Sequence, residues 1–131
     1  MADKTATIQS QLQNSTVSYQ KIENELASII EARQRLDSQL SENELVLREF
    51  SNLKPHNIVY KLIGPALMPQ DSTEAKANVE KRLEFIRSEI QRVENQLKES
   101  ETKAAKKKEE IIGLQQQFQA LQGPSGQPSN G

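Results

Sequence analysis

Apolar side chains recur along this chain in strict steps of four and three. They do so over two runs, each too long for one small core to enclose. The first reads Ile8, Leu12, Ser15, Tyr19, Ile22, Leu26, Ile29, Arg33, Leu36, Leu40, Asn43, Leu47, Phe50, and only Ser15, Arg33 and Asn43 depart from the apolar rule. The second reads Val79, Leu83, Ile86, Ile90, Val93, Leu97, Ser100, Ala104, Lys107, Ile111, Leu114, Phe118, Leu121. A period of 3.5 held this long is a coiled-coil seam, not the surface stripe of a globular helix. At ~1.5 Å per residue, a helix over about 5–53 is roughly 65–70 Å long. Pro55 sets its limit near Leu53, because the residue before a proline is driven out of the helical region.

Between the runs the period changes. In Asn57–Gln70, NIVYKLIGPALMPQ, the residues Ile58, Tyr60 and Leu62 alternate with Val59, Lys61 and Ile63, and the β-branched and aromatic content favours a strand. Gly64-Pro65 suits a tight turn with positive φ first and the proline φ second. Ala66-Leu67-Met68 is a short return strand that Pro69 ends, giving a hairpin at about 57–69. A lone two-stranded hairpin is marginal in water. Both of its faces are largely apolar and no spare element exists to cover them, so the hairpin is an assembly device. The residues expected to build that assembly surface are Ile58, Val59, Tyr60, Leu62, Ile63, Gly64, Pro65, Leu67 and Met68, joined by Phe85.

Asp71 followed by Glu74 resembles a capping box, opening a second helix over about 72–122. Gly123-Pro124 stops it, and GPSGQPSNG reads as a disordered tail over 123–131 outside the single domain at 1–122. Two runs of matched length joined by a short hairpin should pair antiparallel. Aligning Phe50 with Val79 places Leu36 opposite Val93, Tyr19 near Ile111, Leu12 near Phe118 and Ile8 opposite Leu121. The expected fold is therefore mainly α: a long antiparallel two-helix coiled coil, whose single β-hairpin joins the helices and serves assembly.

Apolar residues outside the seam are surplus to a two-stranded coil. They are Leu45, Val46, Leu53 and Phe85 near the hairpin, Ile30 midway, and Val17 and Ile112 near the termini. Single exposed apolar residues are also normal on any surface, and both readings stand for Val17 and Ile112. Among the polar seam residues, Asn43 is expected to fix register, while Arg33 is tolerated because its stem can reach solvent. Ser100 and Lys107 weaken the outer half of the second helix, and Gly113 costs ~1 kcal/mol there relative to alanine.

The composition excludes several classes. Charged residues are abundant (27 %), yet the net charge is only −1, which argues against a general polyanion binder. There is no cysteine and hence no thiol or disulfide chemistry. No run of ~18 apolar residues and no apolar leader is present, so neither a membrane span nor a secretion signal is expected. No phosphate-cradling glycine loop, metal-spaced cluster or nucleophile–base pair is visible, so no enzyme, metal or cofactor is expected. The sole histidine, His56, adjoins Pro55 in a connection and reads as structural or solvated. Lys106-Lys107-Lys108, followed directly by Glu109-Glu110, reads as a solvated face.

Taken together, a helical run, then NIVYKLIGPALMPQ, then a run containing VEKRLEFIRSEI resemble a beta-type subunit of the prefoldin family. The resemblance covers roughly Ile8–Leu121 and is most specific over Val59–Gln70 and Val79–Gln96; a single hairpin matches the beta type. It implies a hexamer of two alpha-type and four beta-type subunits, with hairpins forming a β-barrel body from which coiled coils hang. It further implies an ATP-independent cytoplasmic co-chaperone. Such a protein holds unfolded chains, notably actin and tubulin, at the arm tips and passes them to the group II chaperonin. The residues that gather at the loose end, and would hold such clients, are Ile8, Leu12, Val17, Tyr19, Ile112, Leu114, Phe118 and Leu121. Two other classes fit parts of the pattern. A structural coiled-coil tether needs the seam and the hairpin but no exposed apolar tip. A nucleic-acid-binding arm needs basic residues on one outer face, and here they are interleaved with acids.

Overall fold

A computed structural model of the chain describes residues 2–54 and 57–123. His56 and the tail beyond Gly123 lie outside the described residues. The elements run α1 (Ala2–Ser51), β1 (Val59–Ile63), β2 (Ala66–Gln70) and α2 (Ser72–Gln122). The protein is thus mainly α, two long helices around one antiparallel hairpin. It divides into two compact units: a terminal unit of Met1–Ile30 with Gln96–Gly131, and a hairpin unit of Glu31–Asn95.

The element ends follow from local chemistry. After Ser51 the backbone tightens into shorter bonds, Asn52 N–H to the Glu49 carbonyl (3.1 Å) and Leu53 N–H to that of Phe50 (3.2 Å). The helix therefore closes two residues before Leu53, as a chain approaching proline must. Lys54 and Asn57 then bond reciprocally: the Asn57 N–H donates to the Lys54 carbonyl (2.9 Å), and the Lys54 N–H to Asn57 Oδ1 (2.7 Å). α2 opens on Asp71, whose Oδ2 accepts the Glu74 N–H at 3.1 Å and whose carbonyl accepts that of Ala75 at 2.9 Å. It closes on Gly123, at φ 69°, whose N–H donates to the Gln119 and Ala120 carbonyls, both at 3.2 Å. This left-handed cap is cheap only for glycine.

In the hairpin unit the two helices run antiparallel. Arg33 reaches Glu94 and Asn43 reaches Arg82, so position along α1 rises as position along α2 falls. Phe50 and Val79 line one hollow, the alignment expected from the seam. The core here is apolar and lies on α2: Ala75, Val79, Leu83, Ile86, Ile90 and Val93 are buried, Leu83 to 1 % exposure. Burying one such large side chain is worth ~1.5–3 kcal/mol. The facing seam residues of α1, from Leu36 to Phe50, are half-buried.

The terminal unit repeats the antiparallel order, with Ile8 beside Leu121, Ser15 bonded to Glu110, and Ile29 beside Ser100. Its buried positions are of another kind: Ser15, Ser100 and Ala104, small or polar. Ser15 Oγ donates to Glu110 Oε1 (3.0 Å), and Glu110 Oε2 is paired with Lys107 Nζ (2.9 Å). Ser100 Oγ has no hydrogen-bond partner among the described residues. Less apolar area is buried per turn, so packing holds this unit less firmly than the hairpin unit.

The hairpin is a two-residue turn. Register runs from Ile63↔Ala66 through Leu62↔Leu67, Lys61↔Met68 and Tyr60↔Pro69 to Val59↔Gln70. Gly64 has φ 59°, and Pro65 can follow it only at negative φ, which is the II′ geometry that matches strand twist. One expectation is corrected. Pro69 does not end the return strand; it sits within β2, opposite Tyr60.

Candidate functional site

Each unit carries one candidate surface. In the hairpin unit, period-two alternation sorts the strand residues onto two faces. Tyr60, Leu62, Leu67 and Pro69 share one face, which Ile58 extends; all five are exposed, Leu62 to 66 %. The other face carries Val59, Lys61, Ile63, Ala66, Met68 and Gln70. Of these, Val59, Lys61 and Gln70 border a hollow shared with Val46, Phe50 and Val79 of the helices. Val59 and Gln70 are accordingly half-buried, while Ile63 and Met68 remain exposed near the turn formed by Gly64 and Pro65. The sheet thus rests its lower end on the helices, where Tyr60 also borders the hollow, and leaves most of one apolar face uncovered. Phe85 stands on α2 two residues past buried Leu83, hence on the outer side, and is 65 % exposed. It does not join the hollow under the sheet.

In the terminal unit the eight residues divide by depth. Ile8, Leu12, Tyr19, Leu114 and Phe118 are half-buried in the seam, whereas Val17 (65 %), Ile112 and Leu121 are exposed. Ile8 and Leu121 meet in an apolar hollow of ≈ 580 Å³ walled by Asp3, Lys4, Thr7, Gln117 and Ala120. Leu114 lines a second hollow with Gln11, Ser15, Ser18, Lys107 and Glu110. Val17 and Ile112 line neither. The seam residues are brought together, and these two stand apart on outer faces.

Electrostatics in both units are local. The hydrogen bond to Glu23, one turn along α1, raises the Tyr19 phenol above its ordinary pKa, with burial adding to it. Lys107, then Ser15, holds the Glu110 carboxyl below its usual range by hydrogen bonding. Arg92 does the same for Glu89 through two bonds of 2.8 and 3.2 Å. No group of three or more His, Cys, Asp or Glu poised for a metal occurs among the described residues. No described helix is long and apolar enough to cross a membrane.

The polar seam residues Arg33 and Asn43 both make polar contacts within and across the helices. Arg33, read as merely tolerated, pairs with Asp37 (2.7 Å) on its own helix and reaches Glu94 (3.4 Å) on the other. Asn43 donates to the Gln39 carbonyl of its own helix (2.7 Å) and accepts from Arg82 at 3.4 Å. In the hairpin unit the two share the cross-helix polar contacts, with Glu44–Arg87 (3.4 Å) beside them. The acceptor that sequence reasoning missed is Glu110. Its signal was its place three residues after Lys107, opposite Ser15.

Residues 4–118 match a family model described as "Prefoldin subunit". The chain is 41 % identical over 115 residues to "Prefoldin subunit 6" of Mus musculus, covering 88 % of this chain and 91 % of that one. It is 45 % identical over 96 residues to the Saccharomyces cerevisiae protein of that name (73 % and 84 % covered). With the Arabidopsis thaliana protein the identity is 42 % over 115 residues (88 % and 89 %). Among solved structures it resembles the prefoldin beta subunit from Thermococcus strain KS-1, with a TM-score of 0.63 at 22 % identity. That match covers 87 % of this chain and 94 % of the other, a likeness of fold.

Proposed function

The chain belongs to the prefoldin family, and from that premise we propose how its two surfaces divide the work of a beta-type co-chaperone subunit. The family is one of non-enzymatic chaperones, and its members assemble with other prefoldin subunits. The exposed Ile58–Tyr60–Leu62–Leu67 face makes this subunit's contribution to assembly, with Phe85 adding a helix-borne contact. In that reading the hairpin enters the β-barrel body of a hexamer of two alpha-type and four beta-type subunits. The terminal unit holds unfolded polypeptide in the cytoplasm, actin and tubulin among its clients, and passes it to the group II chaperonin.

The observation that carries this division is the contrast between the two cores. Apolar side chains are buried around Leu83 in the hairpin unit, whereas Ser15, Ser100 and Ala104 are the buried residues of the terminal unit among the described residues. A pair held so lightly can part in its outer turns and offer Ile8, Leu12, Tyr19, Leu114, Phe118 and Leu121 to a client, beside Val17 and Ile112. Each fully buried side chain is worth ~1.5–3 kcal/mol, and a mobile client gains only part of that. One subunit therefore binds weakly, and several acting together bind usefully and still release.

The test is to assemble the protein with its partner subunits, measure the mass of the complex, and follow aggregation of an unfolded substrate. Phe118→Ser with Leu121→Ser should leave the mass unchanged and weaken aggregation suppression, more so when neighbouring subunits carry matching changes. Full suppression by an intact complex lacking several such tips would move the client site elsewhere.

A further inference from the structure

Charged residues stop short of the loose end of the terminal unit. None occurs in 5–20 of α1 or in 111–122 of α2, although 27 % of the whole chain is charged. Carboxamides take their place. Gln11, Asn14 and Gln117 are exposed and, among the described residues, make no hydrogen bond. These three rim the two hollows already described: Gln117 the one that holds Ile8 and Leu121 (≈ 580 Å³), Gln11 and Asn14 the one that holds Leu114 and Ser15 (≈ 360 Å³). The hollows are successive copies of one groove. Lys4, Thr7 and Ile8 of the first stand seven residues before Gln11, Asn14 and Ser15 of the second, and Gln117 and Leu121 stand seven after Glu110 and Leu114. Residues seven apart share one side of a coiled-coil helix. Both hollows therefore open on the same side, ~10.5 Å apart along the axis at ~1.5 Å per residue. The charges that border them are balanced: Asp3 adjoins Lys4, and Lys107 is paired with Glu110 at 2.9 Å. Two heptads further in, the equivalent hollow at Ile29 and Ser100 is rimmed by Glu25, Glu99 and Lys103 instead.

We propose that this groove binds unfolded polypeptide in a polyproline-II-like conformation, with two apolar side chains three residues apart entering the two hollows and the rim carboxamides bonded to its main chain. Polyproline II has three residues per turn and a rise of ~3.1 Å, so every third side chain returns to one side after ~9.3 Å, close to the spacing of the hollows. Alternate side chains of a β-strand recur after only ~6.8 Å. Polyproline II also has no internal hydrogen bonds, which leaves its amides and carbonyls open to a partner. A carboxamide offers both a donor and an acceptor and carries no charge, so it serves the main chain of any sequence. A helix with apolar residues seven apart would match the same distance, but its main-chain groups bond to one another. The groove is thus selective for conformation and spacing and indifferent to the sign of the client's charge. The inference rests on the client-holding role proposed for the terminal unit and adds the form in which the client is held.

The test uses the complex assembled with its partner subunits, with this subunit alone isotope-labelled, so that nuclear magnetic resonance of the Gln11 and Gln117 side-chain amides and the Leu114 methyls reads this groove only. Unstructured peptides with one Leu-x-x-Phe pair in a neutral polar background are titrated in. They should shift these signals and bind at least about threefold tighter than peptides with the pair two or four residues apart. Versions of net charge about −3 and +3 should bind within about twofold of each other. Gln11→Leu and Gln117→Leu should each weaken binding about 2- to 10-fold, the value of one hydrogen bond, although each enlarges the apolar area; circular dichroism checks the helices. Affinity that ignores the spacing, or that both leucines leave unchanged or improve, would overturn the proposal. So would tighter binding of a helical peptide with the pair seven residues apart, or a preference beyond about fivefold for one sign of charge. Phe118→Ser with Leu121→Ser separates this from the underlying reading. If that variant abolishes binding while spacing and carboxamides do not matter, the tip holds its client by apolar contact alone and the groove proposal fails by itself. If it has no effect and the peptides shift none of the labelled signals, the client-holding role of the terminal unit fails with it.

Discussion

Ser100→Ala and Ser15→Ala remove the same hydroxyl from two buried seam positions of one unit, and they should shift its stability in opposite directions. Both serines are 6 % exposed. Ser100 Oγ has no partner among the described residues, whereas Ser15 Oγ donates to the Glu110 carboxylate at 3.0 Å. A buried hydroxyl without a bond costs about 1–3 kcal/mol, which alanine removes. Alanine's helix propensity adds up to ~0.5 kcal/mol. The lost oxygen gives up a few contacts of ~0.1–0.2 kcal/mol each. Ser100→Ala should therefore stabilise the terminal unit by about 1–2 kcal/mol. At Ser15 a bond to a charged group, worth about 1.5–3 kcal/mol, is lost and the same propensity is gained, for a net loss of about 1–2 kcal/mol. Hydrogen exchange of amides in 10–20 and 96–104 reads both locally, slowed about 5- to 30-fold by Ser100→Ala and accelerated by a similar factor by Ser15→Ala. Shifts of the same sign, or no shift at Ser100, would refute the assignment of one satisfied and one orphaned hydroxyl.

Leu83→Ala should destabilise the hairpin unit by about 2–5 kcal/mol, since Leu83 is its most deeply buried side chain; urea unfolding measures it, and a loss below about 1 kcal/mol would mean the site collapses without a cavity. Gly64→Ala meets no atom within 4 Å yet must hold φ 59°, so its cost of about 1–3 kcal/mol is purely backbone. Helix content by circular dichroism should stay unchanged while co-assembly with partner subunits falls, and full co-assembly would exclude the II′ turn. Glu110 contributes pH-dependent stability of a definite sign. Its folded carboxyl lies below the unfolded value of 4.5, so the contribution is present above that value and lost as pH falls through the folded pKa. Hydrogen exchange around Ser15 should accelerate on acidification through that range, and Glu110→Gln should flatten the dependence; an unchanged profile would assign it to another carboxylate.

The helices and their limits were legible because they rest on spacing and on residues with narrow backbone preferences. The 3.5-residue seam, the Asp71 cap, Gly64-Pro65 and Gly123 each act within a few residues, so one dimension suffices to read them. Depth within the seam was not legible. Leu83 and Leu47 occupy equivalent seam positions, yet one is buried and the other half-buried, a difference set by neighbours distant in sequence. The partner of Arg33 was not legible for a related reason: whether a long cation is idle or paired depends on Glu94, sixty-one residues away. All seven apolar residues outside the seam, from Val17 to Ile112, are exposed, as surplus to a two-stranded coil should be. Pro69 reads as a terminator in sequence because its effect depends on the parity of the register, and parity is fixed only once Ile63 is paired with Ala66.

The uncovered face of the hairpin also governs what becomes of a subunit made in excess. Tyr60, Leu62 and Leu67 beside an unpaired strand edge are features that drive aggregation and recruit quality control when no partner covers them. Nothing within the hairpin hides them: its second face meets the helices only at the Val59–Gln70 end, and its turn has only two residues. A cell must therefore either synthesise this chain in proportion to its partners or degrade the remainder. In the proposed assembly, the supply of partner subunits then limits how much of this chain is kept, alongside its own folding stability.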